Sequence, residues 1–271
     1  MKRRNTRVSR TFSRRLGLAA SVFIASALSA AFAHADDTDD PAVTPYRPTV
    51  SNPASLPVPG WIEGEFGGQH VAADDGSRND SVPWLLKYAF DENRGVLVGG
   101  NAYVHDAPVG TPSHAGFGDV LIEWKQRFPL SDKTAFGIEA GTILPTATGD
   151  LGVGKPAWTV NGIYSSDFGA LHLDVNVGGT RYTTSSTGLS RWQSTWAAAG
   201  SWSLTDVVGA ALEFSGTHQR GAANASQILG AINYNRSTHL VLDAGLAYGL
   251  THAAHDVSIF AGATVYLGRL R

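Results

Sequence analysis

The sequence predicts an all-β fold: a transmembrane up-and-down antiparallel β-barrel of 12 strands, following a cleaved signal peptide. Three observations carry this. After Gly60 apolar residues recur every second position, and no window shows the i, i+3, i+4, i+7 stripe of an amphipathic helix. The connections between alternating stretches are by turns long and short, as in barrels with outer loops and inner turns. Aromatic residues collect on the apolar face toward strand ends, where the interfaces of a bilayer would lie; they include Trp84, Phe90, Trp124, Phe128, Trp192, Trp202, Tyr234 and Tyr248.

The first element is a targeting segment. Residues 1–15 carry Lys2, Arg3, Arg4, Arg7, Arg10, Arg14 and Arg15 without an acid. Leu16 to Ala33 runs without a charge, Ala33-His34-Ala35 supplies a small-x-small cleavage pattern, and Asp36-Asp37 follows. Residues 1–35 thus have the layout of a secretory signal peptide. Ser13-Arg14-Arg15-Leu16 also has a twin-arginine shape, which leaves the export route open. Seven of the 21 Lys and Arg leave with this segment and none of the 23 Asp and Glu, so the near-neutral chain becomes a mature protein of charge −9. Such a charge disfavours nucleic acid as a partner. Zero Cys excludes a disulfide scaffold, a thiolate metal site and a cysteine nucleophile.

The second element, 36–60, holds Pro41, Pro45, Pro48, Pro53, Pro57 and Pro59. Proline at this density opposes both helix and ladder pairing. The segment reads as an extended periplasmic lead, and its composition leaves open whether it enters a lumen as a plug.

Residues 61–271 form the barrel. Strands are expected near 61–70, 81–90, 96–105, 117–128, 134–144, 157–165, 170–182, 191–204, 207–219, 226–235, 239–250 and 257–268. Their mean length of about 11 residues suits a tilted strand crossing a bilayer. In 117–128, Val120, Ile122, Trp124 and Phe128 share one face, with Asp119, Glu123, Lys125 and Arg127 on the other. In 171–181, Leu171, Leu173, Val175 and Val177 oppose His172, Asp174 and Asn176. Long connections near 71–80, 106–116, 145–156 and 183–190 alternate with tight ones near 91–95, 129–133, 166–169 and 205–206, a contrast that weakens in the last third.

Alternation alone also fits a soluble barrel turned apolar side in. The aromatic girdles, the lack of helices to cover so much apolar surface, and the need for a closed edge in lipid favour apolar side out. The polar face then lines a lumen: Glu63, Glu65, Lys87, Asp119, Glu123, Lys125, Arg127, Glu139, Asp174, Glu213 and Asp243, eight acids against three bases. Two readings stay open. One is a buried ion-pair network holding the barrel shut. The other is a pore lining whose acid excess favours cations or neutral polar solutes.

The last strand, Gly262-Ala263-Thr264-Val265-Tyr266-Leu267, resembles the signal read by the barrel assembly machinery, although Gly268-Arg269-Leu270-Arg271 follows it. An ordered set of motifs carries a wider resemblance: Thr44-Pro45-Tyr46-Arg47-Pro48-Thr49-Val50-Ser51-Asn52-Pro53-Ala54, then Gly116-Phe117-Gly118-Asp119, Leu144-Pro145-Thr146 beside Gly152-Val153-Gly154-Lys155, Asn161-Gly162-Ile163-Tyr164, and Phe260-Ala261-Gly262-Ala263-Thr264-Val265. Together these resemble the proteobacterial outer-membrane transporter family named for the meta pathway of phenol degradation. The resemblance implies an outer-membrane barrel, with small aromatic or hydrophobic compounds as candidate solutes.

Enzyme signatures are missing. No Ser follows a His at the phospholipase-like spacing of two, since Asp174 follows His172 at that spacing, Val241 follows His239, Arg220 follows His218 and Ala72 follows His70. There is no HExxH and no Gly-x-Ser-x-Gly beside a His. Gly149 to Lys155 mimics a phosphate loop, but Pro156 stands where Ser or Thr is required. His252, His255 and Asp256 read as a solvated loop rather than a metal site. The expectation is therefore no catalytic, cofactor or metal residues. The expected activity is passive transport of small molecules across the cell outer membrane, with a closed structural or loop-mediated interaction barrel as the alternative. The expected partners are outer-membrane lipids, the barrel assembly machinery and a small-molecule solute.

Overall fold

Period-two alternation becomes strand pairing along almost the whole chain. The computed structural model describes residues 41–251, 254 and 257–270. The signal-peptide reading of 1–35 and the His252, His255 and Asp256 reading lie outside these residues. The strands are β1 (Trp61–Ala72), β2 (Arg78–Asp91), β3 (Arg94–Ala107), β4 (His114–Gly116), β5 (Val120–Ser131), β6 (Thr134–Leu144), β7 (Ala157–Phe168), β8 (Leu171–Tyr182), β9 (Trp192–Ser203), β10 (Val208–Gln219), β11 (Ala225–Ser237), β12 (Leu240–Gly249) and β13 (Val257–Arg269).

All pairings are antiparallel. Twelve strands pair in chain order, with β3 passing directly to β5, and β1 pairs with β13 to close the ring, Gly67 lying opposite Gly262. Closure leaves no unpaired edge for lipid to desolvate. The three-residue β4 is an addition to β3, with Ala115 opposite His105. It arises because 117–119 is loop rather than strand: Gly118 N–H donates to the Asn101 carbonyl at 2.9 Å, and β5 starts at Val120.

The connections alternate around the whole ring, more strictly than the sequence suggests. Residues 92–93, 132–133, 169–170, 204–207 and 238–239 make the short-turn end. Residues 73–77, 108–119, 145–156, 183–191, 220–224 and 250–256 make the loop end. The two-residue turn after β7 needs a left-handed backbone, which Gly169 supplies at φ 66°. Gly60 and Leu270 lie together at the short-turn end, where Leu270 N–H donates to the Gly60 carbonyl at 2.8 Å.

The outer surface is apolar at mid-height, with Ile138, Leu212, Phe214 and Leu246 exposed. Aromatics rim it at both ends. Phe90, Phe128, Phe136, Phe168, Trp202 and Tyr234 stand toward the turn end, and Tyr103, Trp158, Trp192 and Tyr248 toward the loop end. Trp84 departs from the girdle reading: it sits mid-strand on β2, opposite Phe66 and Gly100.

The sequence leaves open whether the Pro-rich lead enters the lumen; along its described length, residues 41–60 fold into the barrel. Val43 N–H donates to the Thr238 carbonyl at the turn end, at 2.8 Å. Ser51 and Asn52 reach mid-strand residues of β10 and β8, and the chain returns to the turn end at Gly60. Val43, Tyr46, Ser51, Ala54 and Leu56 are buried. Ala54 packs on Ala135 and Ile163 in a small apolar cluster inside the ring. Proline density rightly excluded ladder pairing, but it does not say where an unpaired segment goes.

The outward–inward assignment is testable by charge insertion. Ile138 lies outward near the middle of β6, and Ala197 lies inward on β9 beside a cavity. Ile138→Arg is expected to destabilise the barrel folded in lipid by about 2–4 kcal/mol. Ala197→Arg is expected to cost clearly less. Denaturant titration of protein folded into vesicles measures both, and equal costs would reverse the assignment. Val120 is a poorer probe, since it opens β5 at the loop end.

Candidate functional site

The candidate site is the barrel interior, which falls into two tiers. In the tier toward the short turns, the lead meets the inner wall through a network of charges and backbone groups. Lys87 on β2 is fully buried and paired with Glu63 and Glu65 of β1, and it donates to the Thr44 carbonyl. The same two carboxylates accept backbone N–H groups of the lead: Thr44 to Glu63 at 2.8 Å, Tyr46 to Glu65 at 2.6 Å and Arg47 to Glu65 at 3.2 Å. Lys125 on β5, also fully buried, reaches Glu139 at 2.9 Å and the Pro53 carbonyl at 2.6 Å. Both ammonium groups lie over the Tyr46 ring, each 4.0 Å from its centroid. An aromatic face among desolvated cations adds attraction without adding charge.

Arg47 forks onto Asp243 of β12, Nε at 3.1 Å and Nη2 at 3.0 Å. Its path is cut by glycines. A Cβ on Gly67 would sit 2.7 Å from the Arg47 guanidinium, and one on Gly262 would sit 2.5 Å from Arg47 Nε. Elsewhere a Cβ on Gly95 would meet Leu56 at 2.7 Å, and one on Gly137 would meet the Ala54 backbone at 3.3 Å. Inward glycines therefore mark where the lead approaches the wall. At its tip, Ser51 N–H donates to Glu213 at 2.7 Å. Asn52 N–H donates to Asn176 at 2.9 Å, and the Asn52 side-chain amide spans both oxygens of Glu139.

The tier toward the loops is open. A cavity of about 540 Å³ has Val50 and Asn52 of the lead, with Glu139, at its floor. Its walls are Thr159, Thr180, Thr195 and Thr217 on the four consecutive strands β7 to β10, with Gln69, Asn161, Asn176, Ser215, Gln227 and Ser258. Leu121, Val71 and Ala197 add small apolar patches. A second cavity of about 250 Å³ lies behind the lead on the short-turn side, between Tyr46, Arg47 and Ser55 and the wall residues His172, Asp174, Ala199, Ser201, Ala211 and Asn233. Glu213 with Ser51, and Asn176 with Asn52, form the layer between them.

Of the eleven residues expected at the lumen, Glu63, Glu65, Lys87, Glu123, Lys125, Glu139, Asp174, Glu213 and Asp243 are inward and buried. Arg127 is half-buried on the same face of β5, near its turn end. Asp119 departs from its expected place on a strand. It precedes β5 and holds loop 145–156 down, accepting the N–H groups of Ala147 at 3.0 Å and Val153 at 2.6 Å. The lead residues Tyr46, Arg47, Ser51 and Asn52 escaped the sequence reading. The signal for them was the surplus of inward acids over inward bases, which calls for donors from elsewhere. No group of side chains suited to a metal ion occurs among the described residues.

No family model and no curated protein sequence matches the chain. Its fold is that of solved outer-membrane barrels. It is similar to an outer-membrane channel from Pseudomonas putida F1, with 14% identity over 78% of this chain and 97% of that one and a TM-score of 0.64. It is also similar to the NanC porin, with 9% identity, 76% and 100% coverage and a TM-score of 0.58. A third likeness is to the KdgM porin crystallised with disordered oligogalacturonate, with 7% identity, 75% and 99% coverage and a TM-score of 0.50.

The network predicts strong coupling between partners. Lys87→Met leaves Glu63 and Glu65 buried without their cation and is expected to cost about 3–5 kcal/mol. Adding Glu63→Gln and Glu65→Gln is expected to return most of that loss. Urea unfolding of the refolded barrel, followed by tryptophan fluorescence, measures both.

Proposed function

We propose that this chain is an outer-membrane channel for passive passage of small molecules, constricted by its own N-terminal lead. The observation that carries the reading is the pair of cavities on either side of one thin layer. Beside that layer the wall is made of small side chains, Ala197, Ala199 and Ala211. A barrel that served only as a scaffold would have no need of a hydroxyl- and amide-lined vestibule above a seat for the lead. The fold shared with channels and porins supports the reading, and no chemical step is involved.

The motif resemblance to the phenol meta-pathway family supports small aromatic or hydrophobic compounds as solutes. The wall chemistry favours solutes that form hydrogen bonds, because threonine hydroxyls and amides would otherwise be desolvated without partners. Orientation follows from loop length: the long loops face outward and the short turns face the periplasm.

Conductance in planar bilayers tests the reading. Wild-type protein is expected to give small, cation-preferring currents. The pair Arg47→Ala with Asp243→Asn removes one anchor of the lead without stranding a charge, and is expected to raise conductance several-fold. Folded protein that stays silent in both forms would leave only a sealed barrel acting through its loops.

A further inference from the structure

The vestibule is lined by a buried carboxyl group, Glu123, that neither a cation nor the lead contacts among the described residues. Among the inward acids, Glu63 and Glu65 have Lys87, Glu139 has Lys125, and Asp243 has Arg47. Glu213 takes the Ser51 N–H, and Asp174 has Ser165 and His172. Glu123 is 7% exposed and lines the cavity. Among the described residues no Lys, Arg or His lies within ion-pair distance of it. Lys125, two residues further along the same face, is turned to Glu139, Pro53 and Tyr46. The contact Glu123 makes is with the Thr159 hydroxyl. Its seat is shaped by Gly141 on the neighbouring strand, where a Cβ would sit 2.6 Å from Glu123 Cγ.

A carboxylate buried without a counter-charge is costly unless something supplies one. The walls around it are neutral donors and acceptors: Thr159 and Thr180 opposite each other on β7 and β8, Thr195 and Thr217 opposite each other on β9 and β10, and Gln69 and Gln227. We propose that this vestibule is a binding site for a small hydroxylated organic cation, an amino sugar or amino alcohol, with its ammonium on Glu123 and its hydroxyls on the threonine band. An ammonium restores the missing charge through a charge-assisted hydrogen bond. A neutral analogue gains only the wall contacts, and an anion meets Glu123 as a like charge. The volume of about 540 Å³ accommodates a single sugar ring with bridging water.

The inference takes its transport meaning from the channel reading, but binding is measured at equilibrium and needs no current. Glucosamine, glucose and glucuronate share a ring and differ in charge. Full-length protein folded in detergent is titrated with each at pH 7.5 and followed by saturation-transfer NMR. Glucosamine is expected to bind about tenfold tighter than glucose, with glucuronate weakest. Glu123→Gln is expected to bring glucosamine down to the level of glucose, and Glu123→Asp to keep a preference; heat-dependent gel mobility checks that each variant is folded. Equal binding of the three sugars by the wild type, which requires no variant, would overturn the inference. So would a glucosamine preference that survives Glu123→Gln. A barrel that conducts without preferring glucosamine sinks this inference and leaves the channel. A silent barrel that binds glucosamine through Glu123 supports the inference and sinks the channel.

Discussion

The structure depends on how seven buried carboxylates are satisfied inside a narrow ring. Glu63, Glu65, Glu123, Glu139, Asp174, Glu213 and Asp243 all face inward and are almost wholly removed from solvent. Among the described residues Lys87 and Lys125 are the buried cations of the wall, too few for so many acids. Charges taken out of water must be met by opposite charge or by aligned donors. The lead meets that need with its backbone: the N–H groups of Thr44, Tyr46, Arg47 and Ser51 all end on wall carboxylates. Prolines around them hold the backbone away from ladder geometry, leaving those N–H groups free for the wall.

The same constraint explains why the interior has two tiers. Where the lead runs, acids, lysines and glycines interlock, and there is little space. Beyond its tip at Val50, the inward polar residues other than Glu123 change to Thr, Ser, Gln and Asn, which tolerate water and need no counter-charge. Glu139 sits at the boundary and serves both tiers, holding Lys125 below and Asn52 and Asn161 at the cavity floor. Of the two sequence readings of the polar face, the ion-pair network describes the turn half. The loop half has the polar lining that the channel reading uses.

Legibility in the sequence followed periodicity. Inward and outward faces of β5 and β8 could be read residue by residue, because a strand shows its two faces by parity alone. Parity misplaced Asp119, since alternation continued through 117–119 although the chain there has left the strand. Trp84 was misread because an aromatic residue on the apolar face does not announce its depth. The lead was the largest loss. Its contacts join residues as far apart as Arg47 and Asp243, a separation of 196 positions, and no local pattern encodes such a pairing. Two indirect traces were present: the excess of inward acids, and the inward glycines Gly67, Gly95, Gly137 and Gly262.

Both arms of the lead leave the barrel by the same mouth, Val43 beside Thr238 and Gly60 beside Ala89. The segment is therefore a re-entrant bight, topologically unlinked from the cylinder around it. No chain end has to be threaded, and no pair of strands has to part, for it to be seated or drawn out. Closing the ring through β1 and β13 and filling it are thus separable events. Wall and stopper share one polypeptide, yet they stand to each other much as a receptor stands to a tethered ligand.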